Sequence, residues 1–86
     1  MRGRRLGWTA GIYREDAMSD RYYVNNTAQP NGDHEVHKLG CYWLAQAAST
    51  RDLGLHDNCS SAVRAAKAIH WQSNGCATCA PACHTS

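Results

Sequence analysis

His34-Glu35-Val36-His37-Lys38-Leu39-Gly40-Cys41 is the stretch on which the fold turns, because it reads in two ways at once. As backbone it is a returning strand over residues 34–39. Alternation sets His34, Val36 and Lys38 on one face and Glu35, His37 and Leu39 on the other. As chemistry, His37-x3-Cys41 puts two metal-type donors at the end of that strand.

Upstream, residues 21–27 (R-Y-Y-V-N-N-T) are aromatic and β-branched, as a strand prefers. Between the two strands lies Gln29-Pro30-Asn31-Gly32-Asp33, a turn cluster whose Asn-Gly accepts positive φ. A β-hairpin over residues 21–39 follows. Downstream, residues 40–48 read as a short helix or an irregular apolar segment, and residues 53–55 leave room for a brief third strand. Asn58 or Ser60 can cap the next helix. In it Ala62, Ala65, Ala66 and Ile69 recur at i, i+3, i+4 and i+7, with Val63 beside them and Arg64 and Lys67 facing water. It should end near residues 70–71, and residues 76–86 read as a tied turn. The predicted fold is α+β: a hairpin packed on one Ala-rich helix, stapled by Cys and His.

A staple is needed. The chain has 86 residues, which is one domain at most. Phe is absent, and from Met18 onward the large apolar residues are few. A core of that size seldom supplies more than roughly 3–5 kcal/mol of net stability. Five cysteines and five histidines are the natural recourse.

They form two local groups, His34-x2-His37-x3-Cys41 and Cys76-x2-Cys79-x3-Cys83-His84, with 34 residues between Cys41 and Cys76. Cys-x2-Cys after a Gly-containing turn aims two thiolates at one point, and a structural tetrahedral site commonly takes two ligands from each of two distant segments. The expected ligands are His37, Cys41, Cys76 and Cys79, around a structural zinc. Cys83 is the alternate ligand for His37 or Cys41. His84 adjoins Cys83, and successive side chains diverge, so the two do not suit one ion. His34 reads as a strand-surface residue or a partner of a ligand, Cys59 as a small buried apolar residue, and His56 and His70 as surface or capping residues. Disulfides and metal-free thiols stay open as alternatives, although an odd cysteine count fits a complete disulfide framework poorly.

Charge narrows the partners. Arg2, Arg4, Arg5 and Arg14 carry the excess in residues 1–17, whereas from Met18 on basic and acidic residues are equal in number. Nucleic-acid binding by the folded part is disfavoured, since phosphate neutralisation needs clustered Lys and Arg. No apolar run approaches the roughly 20 residues of a membrane helix, and the N-terminus lacks the apolar core of a secretory signal. A cytoplasmic, reducing location is the default, and it favours metal-bound thiols. Met18-Ser19-Asp20 would make an ordinary second start, so residues 1–17 read as a flexible leader or upstream translated segment, and residues 18–86 as a single zinc-ribbon-like domain.

The pattern His37-K-L-G-Cys41 with Gly75-Cys76-A-T-Cys79-A-Pro81 resembles the Ada-type metal-binding module, over roughly residues 36–81. The resemblance implies a structural zinc held by those four positions. Gly directly before Cys76, and Cys59, Cys83 and His84 outside the pattern, depart from it. The methyl-transfer chemistry of the Ada protein is not carried over, because the neutral domain lacks a basic surface. The stretches YYVNNTAQPNGDHEVH and NGCATCAPACHTS also look like a set of small bacterial proteins of similar length, sometimes carried on mobile elements; that likeness implies no activity.

Other chemistries fit less well. His34-Glu35-Val36-His37 is one residue short of H-E-x-x-H, and a strand points its two His apart where a zincin needs them one helical turn apart. Cys76-x2-Cys79 follows a helix, whereas a thioredoxin-like dithiol starts one. Tyr22, Tyr23, Tyr42, Trp43 and Trp71 are expected in the core, where each can bury about 150–250 Å². The functional expectation is a zinc-stabilised binding module, acting on a protein partner or on itself. A zinc- or thiol-dependent enzyme and a disulfide-tied oligomer are the alternatives.

Overall fold

Tyr22 and Val24 alternate inward along the first strand, β1 (Asp20–Asn25), and are 4% and 0% exposed. The computed structural model describes residues 19–85, so the leader expected at residues 1–17 lies outside the described residues. The turn after β1 is closed by Asn31, whose side-chain oxygen accepts from the Asp33 N–H at 2.9 Å. It delivers β2 (His34–Lys38) antiparallel to β1, with Tyr22 opposite Lys38, Tyr23 opposite His37 and Val24 opposite Val36. The expected hairpin is there.

A short helix, α1 (Tyr42–Gln46), follows inside the segment read as helical or irregular. The third strand is longer than the two leucines and glycine that marked it: β3 runs over Thr50–His56 and pairs antiparallel with the free edge of β1. Its register shifts between Tyr22 and Tyr23, where Leu53 is the extra residue between Asp52 and Gly54, a β-bulge. Helix α2 (Cys59–Lys67) starts at Asn58, whose side chain accepts from the Ser61 N–H at 3.2 Å. Arg64 and Lys67 lie in its last turn, where cations suit the helix dipole.

One element was not expected. Ser73–Gly75 forms β4, parallel to β2, and gives a mixed sheet in the order β3-β1-β2-β4. These residues have little intrinsic strand preference. Side chains hold them instead: Gln72 Nε2 donates to Asp33 Oδ1 at 2.9 Å, and Asn74 Nδ2 donates to Asp33 Oδ2 at 3.2 Å and to the Thr85 carbonyl at 2.7 Å. The hydrogen bonds from Gln72 and Asn74 hold the Asp33 carboxyl below its ordinary pKa, so it stays an acceptor at neutral pH.

The core lies between α2 and one face of the sheet: Tyr22, Val24, Val36, Cys59, Ala62, Ala66 and Ala80, with Leu53, Val63 and Cys83 against it. The aromatic expectation holds for Tyr22 and fails for three others. Tyr42, Trp43 and Trp71 are 63%, 50% and 79% exposed. Helix α1 has only five residues, too few to press a stripe onto the sheet, and Trp71 lies beyond the end of α2. Ile69 is also past that end and is 37% exposed, so the buried stripe of α2 is made of Cys59, Ala62 and Ala66, whose small side chains permit close approach to the sheet.

Candidate metal centre

Strand alternation decides which side chains reach the second face of the sheet. In β2, Val36 turns toward α2, so His37 turns away from it, and His37 is 1% exposed. At the other edge, Gly75 is the partner of Val36, and the Cys76 N–H donates to the Val36 carbonyl at 2.9 Å. Cys76 therefore stands beside His37 on the same face, 2% exposed.

Two tight turns bring the remaining donors. After β2 the chain reverses through Lys38-Leu39-Gly40, with Cys41 N–H donating to the Lys38 carbonyl at 3.0 Å. Gly40 has φ +95°, a left-handed conformation that other residues adopt only at a cost. Cys41 then occupies the position before α1, where its side chain makes no capping bond and its sulfur points back to the strand. On the other side, the Ala80 N–H donates to the Cys76 carbonyl at 2.8 Å and closes the turn that carries Cys79. The Lys38 N–H donates to Cys79 Sγ at 3.2 Å and ties the two turns together.

The result is a four-donor group. His37, Cys41, Cys76 and Cys79 each offer one atom, and all lie within 4.8 Å of one another. His37 Nδ1 is 3.8 Å from Cys41 Sγ and 3.9 Å from Cys79 Sγ. Bonds of about 2.3 Å to sulfur and 2.0 Å to nitrogen, arranged tetrahedrally, separate donors by about 3.5–3.8 Å. A small contraction around an ion would meet that geometry.

The electrostatics point the same way. Burial lowers the His37 pKa, against the opposing pull of Glu35, and keeps the imidazole neutral as a ligand must be. Burial and the adjoining Cys41 and Cys76 outweigh the Lys38 N–H and push the Cys79 thiol up to about 12. Burial acts on Cys41 in the same sense, but hydrogen bonds from Cys79 and from the Leu44 and Trp43 backbone overcome it and lower that thiol. Three sulfurs in one small volume cannot all carry charge unaided; a bound divalent cation removes the conflict.

The other sequence candidates go elsewhere. Cys83, the alternate ligand, is joined by a disulfide to Cys59, with Cα atoms 6.2 Å apart, on the helix side of the sheet. Cys59 is buried as read, but as half of a bridge rather than a lone apolar residue. The odd cysteine count is thereby explained: one pair bridges, and three thiols share a site with a histidine. His84 Nδ1 lies 3.0 Å from the Gly75 carbonyl. His34 Nδ1 is 2.9 Å from the Asn25 carbonyl, and its ring stacks on His70 with centroids 3.9 Å apart. His56 bridges Ser61 and the Leu53 carbonyl, both at 2.9 Å.

Around the centre are features that sequence reasoning missed. Glu35 Oε1 lies 3.6 Å from His37 Nε2; its i, i+2 spacing from His37 within a strand was the available signal. A cavity of about 220 Å³ opens beside Cys76, lined also by Gln29, Glu35, Trp43, Ala77 and Thr78. Leu39, Tyr42 and Trp43 are exposed on the turn and helix that follow β2. No helix among the described residues is long and apolar enough to cross a membrane. In comparisons with protein-family models, curated proteins and solved structures, the chain has no match.

Proposed function

We propose that this protein is a small interaction module whose fold is held by one structural zinc ion, bound by the imidazole of His37 and the sulfurs of Cys41, Cys76 and Cys79. The observation that carries this reading is the convergence of four donors from two segments remote in sequence. Four protein donors fill a tetrahedral site and leave no position for water or substrate, which is the mark of a structural rather than a catalytic zinc. The donor chemistry, three sulfurs and one imidazole, suits zinc among the common divalent ions. The likeness of residues 36–81 to the Ada-type module supports the same ligand set.

Function then belongs to the surface the ion organises. Leu39, Tyr42 and Trp43 are large, apolar and exposed, and they belong to the turn and helix that Cys41 anchors. Aromatic residues of this kind are favoured at protein interfaces, so a protein partner or a second copy of the chain is the expected occupant. A cytoplasmic setting suits metal-bound thiols, and the Cys59–Cys83 bridge would there be exposed to reduction.

The test is elemental analysis of freshly purified protein together with X-ray absorption at the zinc edge. One zinc per chain with three sulfur and one nitrogen neighbours is the expected result. A folded protein without metal would overturn the reading. Three protein donors plus a water oxygen would replace it with a zinc enzyme, in which the open position takes water or substrate.

A further inference from the structure

We infer that Glu35 is a positioning residue for the metal centre: its carboxylate accepts a hydrogen bond from the Nε2 proton of His37, which stays on the ring, and so presents Nδ1 to the ion. This rests on the zinc reading, and it adds to that reading which nitrogen binds and what selects it. Two distances assign the ends of the ring. Nδ1 faces two sulfurs, at 3.8 and 3.9 Å, whereas Nε2 faces the Glu35 carboxylate at 3.6 Å. A neutral imidazole that binds metal through one nitrogen carries its proton on the other. With Nδ1 on the ion, that proton sits on Nε2.

His37 is 1% exposed, so an Nε2 proton without an acceptor would be a buried unsatisfied donor. The Glu35 carboxylate stands 3.6 Å from that nitrogen. At 3.6 Å the pair is longer than a hydrogen bond. Glu35 lines the cavity beside Cys76, so there is open space next to its side chain in which the gap can close. Its carboxylate also has no competing cation: among the described residues, Lys38 lies near Asp20 and Arg21 pairs with Asp52. Carboxylates that accept from a metal-bound histidine fix its tautomer and raise its basicity, and their loss typically costs about 10–100-fold in metal affinity.

The strand geometry explains why the sequence places Glu there. Residues 35 and 37 share a face of β2, so a carboxylate two residues before the ligand can reach the ring's outer nitrogen without any tertiary contact. The pair that resembled a truncated zincin motif is then a ligand and its orienting acid.

Nitrogen–proton correlation spectra of isotope-labelled full-length protein test this directly, with cadmium in place of zinc so that the bound nitrogen shows coupling to the metal. Coupling to Nδ1, and an Nε2 proton that exchanges slowly with water, are expected. Glu35→Ala should lower zinc affinity by about 10–100-fold in chelator competition and speed exchange of that proton, with Glu35→Gln in between. Coupling to Nε2, or wild-type affinity in both variants, would overturn the assignment of Glu35 while leaving a four-donor site in place. Absence of metal coupling to His37 together with no bound metal would instead overturn the zinc reading itself. The wild-type spectrum needs no substitution, so a variant that fails to fold does not shelter the inference.

Discussion

The two faces of the sheet are lined by different chemistry, although they are built from adjacent residues. Val36 and His37 are neighbours in β2, and Gly75 and Cys76 are neighbours at the end of β4, yet each pair divides between the faces. On the helix face Val24, Val36, Ala62 and Ala66 are fully buried, a core of short side chains that offers little area at about 25 cal/mol per Å². On the other face no helix of useful length packs down among the described residues, and four donor atoms occupy the place of a second apolar layer. A sheet this small cannot bury both faces in hydrocarbon. Coordination is strong per residue where apolar burial is strong only in bulk.

The sharpest way to break that comparison is to remove the ion. Structural zinc contributes on the order of 10 kcal/mol in small domains, more than the roughly 3–5 kcal/mol a core of this size supplies. Strong chelators, or Cys76→Ser, should therefore abolish the cooperative thermal transition followed by far-ultraviolet circular dichroism. A Cys76→Ser protein that still melts cooperatively near the wild-type temperature would mean that the helix face suffices alone.

The disulfide on the helix face should matter less, and its effect should depend on the metal. Cys59 and Cys83 are 24 positions apart, and closing a loop of that size in the unfolded chain is worth about 3 kcal/mol in the chain-entropy account. On the proposed reading, zinc would already tie Cys79, four residues before Cys83, to the body of the domain, so with metal bound the bridge removes less freedom. Urea unfolding of wild type against the Cys59→Ser, Cys83→Ser double variant in saturating zinc should therefore show a difference well below about 3 kcal/mol. The full difference in zinc would show the staples acting independently.

Gly75 is where the two faces meet, and a single methyl there should disturb both. A Cβ on Gly75 would stand 2.8 Å from Cys83 Cβ and 2.9 Å from the Ala80 carbonyl oxygen, closer than side chains tolerate. Ala80 closes the turn that carries Cys79, so relief of the clash displaces ligands as well as core. Gly75→Ala should cost about 1–3 kcal/mol, as overpacking does, and should also weaken zinc binding in chelator competition. A loss of stability with unchanged metal affinity would separate the faces more fully than the geometry implies.

The sequence was most legible where local rules act alone. Alternating Tyr22, Val24 and Val36 around an Asn-Gly turn are enough for the hairpin, and donor spacing was enough to single out the four residues that converge. What escaped has no local signature. Strand β4 is Ser-Asn-Gly, held by Asp33 and Thr85 through Asn74, partners 41 and 11 residues away. The Cys59–Cys83 bridge joins a helix start to a tail turn, and nothing in the spacing of either residue names the other. The exposed Tyr42, Trp43 and Trp71 contradict a composition argument, because whether an aromatic is buried depends on having a surface to lie against, and α1 is too short to press them onto one.

The smallest effect concerns the histidines of β2, one on each face. His37 belongs to the four-donor group, whereas His34 lies on Val36's side of the strand and stacks on His70, ring against ring, with 3° between the planes. Partial desolvation, then the nearby His34 and Arg51, lower the His70 pKa from the ordinary 6.5. The unfolded chain therefore takes up this proton first as pH falls. The His70 contribution is fully present above about pH 6.5 and is lost as pH falls from there through the lower folded value. The ring is half-buried at the surface, where solvent screening keeps the change in stability slight. The titration itself is the better measure: in zinc-loaded protein, the ring-proton shifts of His70 should give a midpoint below 6.5, His34→Gln should move it upward, and the His37 signals should stay flat while the metal remains bound. A His70 midpoint at the ordinary value that ignores the His34 substitution would mean that the stacked pair does not persist in solution, and only the histidine on the cluster face would then be fixed by the fold.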